Sequence, residues 1–476
     1  MIIKGGLLAL PGEQTLVRAD IRVTDGRIVE TGNGIEPHKG EEIVDASGLH
    51  VFPGAIDPHV HFDTPGFEQR EDFTHGSMAA ARGGVTTIVD MPCTSLPPVT
   101  SVKNFKEKFS HVQKRSVIDF ALYGGVSGHI ADECIDRNMA ELAPYVVGFK
   151  TYFISGMDTF TRINHYDFAR AVAKAAEIGR PLLLHAEDLD YVTAATKTIQ
   201  ERAIRESGRT APSAGAKPVA GYAAAGPAAP GTWADYVAAR PEAAERVAAA
   251  SALALAHGNE STLHVVHVGT AEAAELLSAG GATCETCPHY LAFSADDFGK
   301  LGSALKTAPP VKSAGHADRL WNLLAEGRIS FVTSDHAPAP ETEKHTGSIW
   351  TDYGGIPGTG TLFPYVYSQG YRAGRLTLPR LLEVIAGGAA RRFGLSGRKG
   401  SIEAGKDADL VFVDPDATYV VRGRELLSKG SITPFEGMEL RGAVKKTFVR
   451  GALVWDSTDG IVVDPGNGKY LQWGYL

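Results

Sequence analysis

Four histidines, one lysine and one aspartate close apolar runs in this 476-residue chain, and their types suit a metal centre. His59 and His61 end the run DPHVH. Two residues apart, they share one face of an extended segment, so both imidazoles reach a single ion. Lys150 lies in VVGFKTYF, His185 in PLLLHAE, His267 in LHVVHVG and Asp335 in FVTSDHAP. Each follows a stretch that belongs in a buried strand, so its polar group either points into a shared mouth or is stranded in the core. A single buried histidine is ordinarily a hydrogen-bonded core residue, but six such groups at strand ends are better explained as ligands on one rim. Lys150 is the odd member, because an ammonium group is repelled by divalent cations. Burial and the metals favour its neutral amine, which adds carbon dioxide to give a carbamate able to bridge two ions. The plain alternative for Lys150 is a side chain that snorkels to the surface.

Those groups need a scaffold that brings strand ends together. From residue 52 to about 395 strand-like runs end near Asp57, Pro92, Val126, Phe153, Glu187, Gly269, Tyr290 and Asp335. Helix-patterned stretches lie between them, among them 102–115, 166–179, 241–256 and 316–327. Gly83, Gly179, Gly280 and Gly327 are expected to end helices in the left-handed conformation. The repeat predicts an α/β fold, a (β/α)8 TIM-type barrel, whose catalytic groups sit at the C-terminal ends of the strands. A doubly wound sheet fits less well, since no glycine-rich phosphate loop follows the first strand. Both chain ends read as β-strands, with hairpin turns at Asp25-Gly26 and Arg450-Gly451. The expected organisation is a small β-sandwich from residues 1–52 and 396–476 around a barrel of residues 53–395. The Ala-, Gly- and Pro-rich stretch 206–233 reads as a disordered surface insert or a lid.

Composition excludes several classes. A formal charge of −8, without a basic run, disfavours a nucleic-acid or anionic-membrane partner. Four cysteines are too few for a disulfide framework and fit a reducing cytoplasm. No run reaches the length of a membrane helix, and the N-terminus is a poor signal peptide. The CETC segment, 284–287, reads as a structural pair of thiols, and Asp20, Asp90 and Asp409 as turn or solvated residues.

The ordered set DPHVH, GFK, HAE, HVVH and SDHAP, with GLHVFPGAID before it and KGSIEAGKDADLVFVDP after it, resembles the cyclic amidohydrolases. That group comprises dihydroorotases, hydantoinases or dihydropyrimidinases, and allantoinases. The resemblance implies two zinc-like ions: His59, His61 and Asp335 hold one, His185 and His267 the other, and carboxylated Lys150 bridges them. It further implies that a hydroxide between the ions attacks a ring carbonyl, and that Asp335 carries the proton to the leaving nitrogen. A small cyclic amide is then the substrate, and a homo-oligomer, dimer or tetramer, the assembly.

Departures from each subfamily bear on the substrate. Where bacterial-type dihydroorotases place Arg, Asn and His around a substrate carboxylate, this chain has Asp63, Cys93 and Ala339. An anion is therefore disfavoured. Where hydantoinases commonly carry Tyr five residues after the bridging lysine, Ser155 stands here, as Thr or Ser does in allantoinases. TCPHYL, DYVAARP, GGIPG and SITPFEGMELRG also resemble allantoinase. Asp63, Cys93, Tyr152, Ser155, Ala308 and Gly355 are the expected substrate contacts. The alternatives are a hydantoinase or dihydropyrimidinase, then a dihydroorotase. Retention of all six ligand positions argues against a dihydropyrimidinase-like scaffold, and a single-metal deaminase would not need Lys150.

Overall fold

The computed structural model describes residues 1–206 and 231–475. Eight parallel strand positions ring its centre: Ala55–Val60, Val85–Asp90, Asp119–Leu122 continued by Gly124–Gly125, Phe149–Tyr152, Leu182–His185, Leu263–Val265, Thr283–Thr286 and Phe331–Val332. They are buried almost throughout, because each is covered by helices outside and by its neighbours within. Each pairs with the next, so Lys150 lies beside Leu183 and Tyr152 beside His185. The ring closes where Val60 bridges His336 in parallel. Asp57 fastens that closure, accepting from the Ser334 amide at 3.0 Å and from its hydroxyl at 2.5 Å. The expected TIM-type barrel is present.

Local chemistry accounts for the outer helices. Asp72, Ser101 and Asn164 each accept a backbone N–H three residues on, capping Phe73–Arg82, Val102–Val112 and His165–Glu177. Gly179 and Gly327 do take positive φ, whereas beside Gly83 and Gly280 it is the next glycine that does, Gly84 at 83° and Gly281 at 82°. The helices there run one residue further than their pattern suggests, and the turn falls to the second glycine of each pair. Most of the expected insert, 207–230, lies outside the described residues; Leu189–Glu206 before it and Trp233–Ala239 after it are helical.

Both chain ends enter one nine-stranded sheet. His50–Pro53 joins them, pairing in parallel with Ile2–Leu8 and antiparallel with Leu410–Val420. The two hairpin turns occur where expected, with Asp25 and Gly26 at φ 50° and 76° and Arg450 and Gly451 at 48° and 74°. Ile3, Ile21, Phe412 and Phe448 pack in a core of their own beneath this sheet.

The aspartates assigned to turns and solvated faces are buried and paired instead. Asp20 accepts from the Gly5 and Ile35 amides, and Asp90 meets Lys108 Nζ at 2.5 Å. Asp409 belongs to a cluster joining the terminal sheet to the barrel. There Lys399 Nζ lies 2.5 Å from Asp119, 3.0 Å from Asp407 and 2.6 Å from Asp409, so the lysine is the cation these carboxylates share. Sequence periodicity marks burial through apolar residues and misses charges that are buried in pairs. Asp119 also pairs with Arg450 and Asp407 with Arg398, so replacing Lys399 with Met would leave Asp409 as the carboxylate without a cation among the described residues, and we expect a loss of about 3–5 kcal/mol. A thermal or urea midpoint unchanged from the parent protein would show that the cluster contributes nothing.

Candidate active site

The barrel brings all four histidines to one end. Ring centroids of His59 and His61 are 5.5 Å apart, those of His59 and His267 5.5 Å, and those of His185 and His267 4.6 Å. Asp335 Oδ1 lies 3.1 Å from His59 Nε2 and 3.5 Å from His61 Nε2, and these three residues bring donor atoms close enough to hold one ion. His185 Nδ1 faces His267 Nε2 at 2.9 Å. His267 and Asp335 adopt φ of 43° and 49° just past their strands, a left-handed conformation that costs a non-glycine residue about 1–3 kcal/mol and recurs at functional sites.

Buried carboxylates fix which imidazole nitrogen is left over. His59 Nδ1 lies 2.5 Å from Glu285 Oε1 and His185 Nε2 lies 3.0 Å from Glu187 Oε2. With the proton on those nitrogens, the lone pairs of His59 Nε2 and His185 Nδ1 turn towards the mouth, as in carboxylate–histidine–metal triads. Glu285 also meets His264 at 3.1 Å and accepts from the Thr333 hydroxyl at 3.0 Å. Burial alone would raise its pKa, but His59 and His264 lower it to about 2, so it stays an anion. Glu187 is held low against its burial by Arg240 and His185. Burial, then His185, hold His267 well below the usual histidine range, so its imidazole is neutral and its lone pair available.

Lys150 is fully buried, and its Nζ has no hydrogen-bond partner among the described residues. Burial lowers its pKa to about 8, so an appreciable neutral fraction exists near neutral pH. The ammonium nitrogen sits 4.8 Å from the centre of the Tyr152 ring, which in turn stacks on His185 at 5.3 Å. A partnerless buried amine, a partnerless His267 Nδ1 and converging imidazole and carboxylate donors fit divalent metal ions.

Above these groups opens a cavity of about 750 Å³. His59, His61, His185, His267 and Asp335 line its floor, and Cys93, Tyr152, Ser155 and Ala308 its walls. Two expected substrate contacts lie elsewhere. Asp63 is fully buried off the wall, with its pKa raised by burial to about 8, and Gly355 is held behind by Lys306 and Lys344, leaving Gly354 on the surface. Ser155 reaches the wall, but its hydroxyl donates to the Phe160 carbonyl at 2.6 Å and accepts from the Met157 amide at 3.2 Å. The Tyr152 hydroxyl lies 3.0 Å from Cys93 Sγ, and its ring stacks on that of His185.

Sequence reasoning missed Glu285, Arg70 and Tyr353. The first sits inside the CETC segment read for its thiols, yet Cys284 and Cys287 point to Arg328 and Thr333 rather than to each other. A glutamate alternating with apolar residues in a buried strand was the available signal.

The model of the amidohydrolase family matches residues 50–454, and the chain belongs to that family. It is 36% identical over 480 residues to an allantoinase of Rubrobacter xylanophilus, covering 99% of this chain and 97% of the relative. An allantoinase of Solibacter usitatus is 34% identical, covering 99% and 96%. Among solved structures, an L-hydantoinase (dihydropyrimidinase) from Arthrobacter aurescens superposes with a TM-score of 0.87 at 30% identity, covering 99% of both chains. A dihydropyrimidinase from Brevibacillus agri gives 0.84 at 25% identity, covering 100% and 99%. The chain is a metal-dependent hydrolase of cyclic amides.

Because Glu285 sets the His59 tautomer, Glu285→Gln is expected to lower metal affinity about 10- to 100-fold while the protein stays folded. Metal retained against a graded series of chelators checks this; retention equal to the parent's would remove Glu285 from the metal site.

Proposed function

We propose that this chain opens the ring of allantoin, a neutral five-membered cyclic ureide, by hydrolysing a ring C–N bond. The observation that carries this reading is the convergence of four imidazoles, Asp335 and a partnerless buried lysine, in a chain related to allantoinases along nearly its whole length. His59, His61 and Asp335 would hold one divalent ion, His185 and His267 a second, and Lys150 as its carbamate would bridge them. Zinc suits this imidazole and carboxylate set. When bound, the ions polarise the scissile carbonyl and make a water nucleophilic at neutral pH.

The chain's own groups do the rest. Burial would raise the Asp335 pKa, but His59 and the hydrogen bond with His61 hold it well below the carboxylate range, so it enters the reaction ionised. It accepts a proton from the attacking water and delivers it to the ring nitrogen as the C–N bond breaks. One water is consumed, giving an N–H and a carboxylic acid, which releases its remaining proton to solvent and leaves as a carboxylate at neutral pH. The Tyr152 hydroxyl is the wall donor placed to meet charge growing on the carbonyl oxygen. In this reading residues 53–395 are the catalytic barrel, and residues 1–52 and 396–476 form one small β-sandwich domain, a division supported by the sheet the two ends share. A simple hydantoin is the second reading, favoured by the overlap with hydantoinase structures.

Assays of ring opening on one zinc-loaded preparation test the substrate. Because the positions that hold a substrate carboxylate in dihydroorotases carry Asp63, Cys93 and Ala339 here, none of them a cation, kcat/KM for dihydroorotate should fall at least about 10²-fold below that for allantoin. A value for dihydroorotate equal to or above those for allantoin and hydantoin would return the chain to dihydroorotase chemistry.

Lys150→Ala tests the bridge. Turnover should be abolished and bound metal reduced, with partial recovery in a short carboxylic acid such as propionate. Full metal and full rate in that variant would make the bridging role wrong.

A further inference from the structure

The cavity wall carries one more charged side chain, contributed by the loop after the first barrel strand. Arg70 lines the same cavity as the histidines and is only 8% exposed. Its guanidinium is clamped: Nε donates to Glu343 Oε2 at 2.6 Å, and its plane lies 4.5 Å from the centre of the Tyr353 ring and 5.3 Å from that of Phe67. These contacts fix the fork without using it up. Among the described residues the two terminal nitrogens make no hydrogen bond, and they are open to the cavity rather than sealed within the protein. Phe67 and Tyr353, which flank the guanidinium, line the same cavity.

We propose that Arg70 determines specificity by donating to a neutral carbonyl oxygen on the exocyclic substituent of the cyclic amide, such as the carbonyl of a ureido group. The inference rests on the ring-opening reading above and names the part of the substrate that faces away from the scissile bond. Neutrality follows from the charge around the fork. Glu343 already pairs with the guanidinium, its carboxylate 2.6 Å from Nε. A carboxylate arriving there meets a cation whose charge is largely spent, whereas a carbonyl oxygen needs only the donors.

The test uses two hydantoins of nearly the same shape, one bearing a carbamoylmethyl group and the other an isobutyl group, on metal-loaded parent protein, Arg70→Met and Arg70→Lys. In Arg70→Met the carbamoylmethyl-to-isobutyl ratio of kcat/KM should fall about 10- to 100-fold, the worth of one charge-assisted hydrogen bond. Arg70→Lys should recover part of it. Equal loss on both substrates would reduce Arg70 to a support for Glu343 and Tyr353 and overturn the proposal. So would a parent enzyme that prefers an anionic carboxymethyl hydantoin to the carbamoylmethyl one, because Arg70 would then read charge. Calorimetric binding of the same pair to chelator-treated protein separates this inference from the ring-opening reading. A carbamoylmethyl preference that Arg70→Met removes upholds the role of Arg70 even if allantoin is not turned over. Binding that the substitution leaves unchanged overturns it.

Discussion

Lys150 is the constraint around which the site is arranged, because a buried amine without an acceptor is tolerated only if its charge is removed or used. The pleat of Phe149–Tyr152 turns Lys150 and Tyr152 to the interior, while Thr151 spends its hydroxyl on the Val126 carbonyl at 2.8 Å. No carboxylate pairs with the Lys150 ammonium, although Asp335 and Glu285 act on it through space. Both carboxylates are engaged by histidines instead, at 3.1 Å and 2.5 Å from His59. The low-dielectric pocket therefore lowers the lysine pKa rather than satisfying it. The same desolvation keeps His267 neutral. A neutral His267 and a lysine whose pKa is lowered towards neutrality favour divalent ions here, whereas a fully protonated lysine would oppose them.

A second layer makes that arrangement rigid. Glu285, on the seventh barrel strand, holds the far nitrogen of His59 on the first, and Glu187 that of His185 at the end of its own strand, so tautomer and ring orientation are set together. Closure of the barrel serves the same end. Asp57 binds Ser334, one residue before Asp335, and the His61 amide donates to the His336 carbonyl at 2.8 Å. His336 itself is held between Glu71 and the amides of Gly358 and Thr359. The first and eighth strands are thus locked at the point where His59, His61 and Asp335 must meet. The left-handed backbone of His267 and Asp335 is sustained by this framework.

The convergence of these six groups was legible in the sequence because a polar residue at the end of an apolar strand has few bland explanations, and eight such runs define where the ends meet. The terminal hairpins were legible through Asp25-Gly26 and Arg450-Gly451, whose turn chemistry is local. What sequence hid was pairing. Asp90 with Lys108, and Asp409 with Lys399, look like surface charges until the fold brings partners separated by 18 and 10 residues to 2.5 and 2.6 Å. Glu285 was hidden similarly, since its partners His59 and His264 come from two other strands. Ser155 shows the converse: a residue type suited to a role has its hydroxyl committed within its own loop.

Chemistry and selectivity are therefore written on different parts of the chain. The groups that hold and activate are tied to strands, where register and burial fix them and where strand periodicity reveals them. The groups that surround a substrate come from loops: Phe67 and Arg70 after the first strand, Met157 after the fourth, Tyr353 and Gly354 after the eighth. Their positions depend on contacts such as Arg70 with Glu343, which are 273 residues apart and carry no periodic signature. Loop exchange on a constant ring of ligands is how one barrel serves several cyclic amides. A reading from strand ends reaches the reaction class first, and the substrate must be argued from the wall, where a clamped guanidinium with free donors is the most specific feature available.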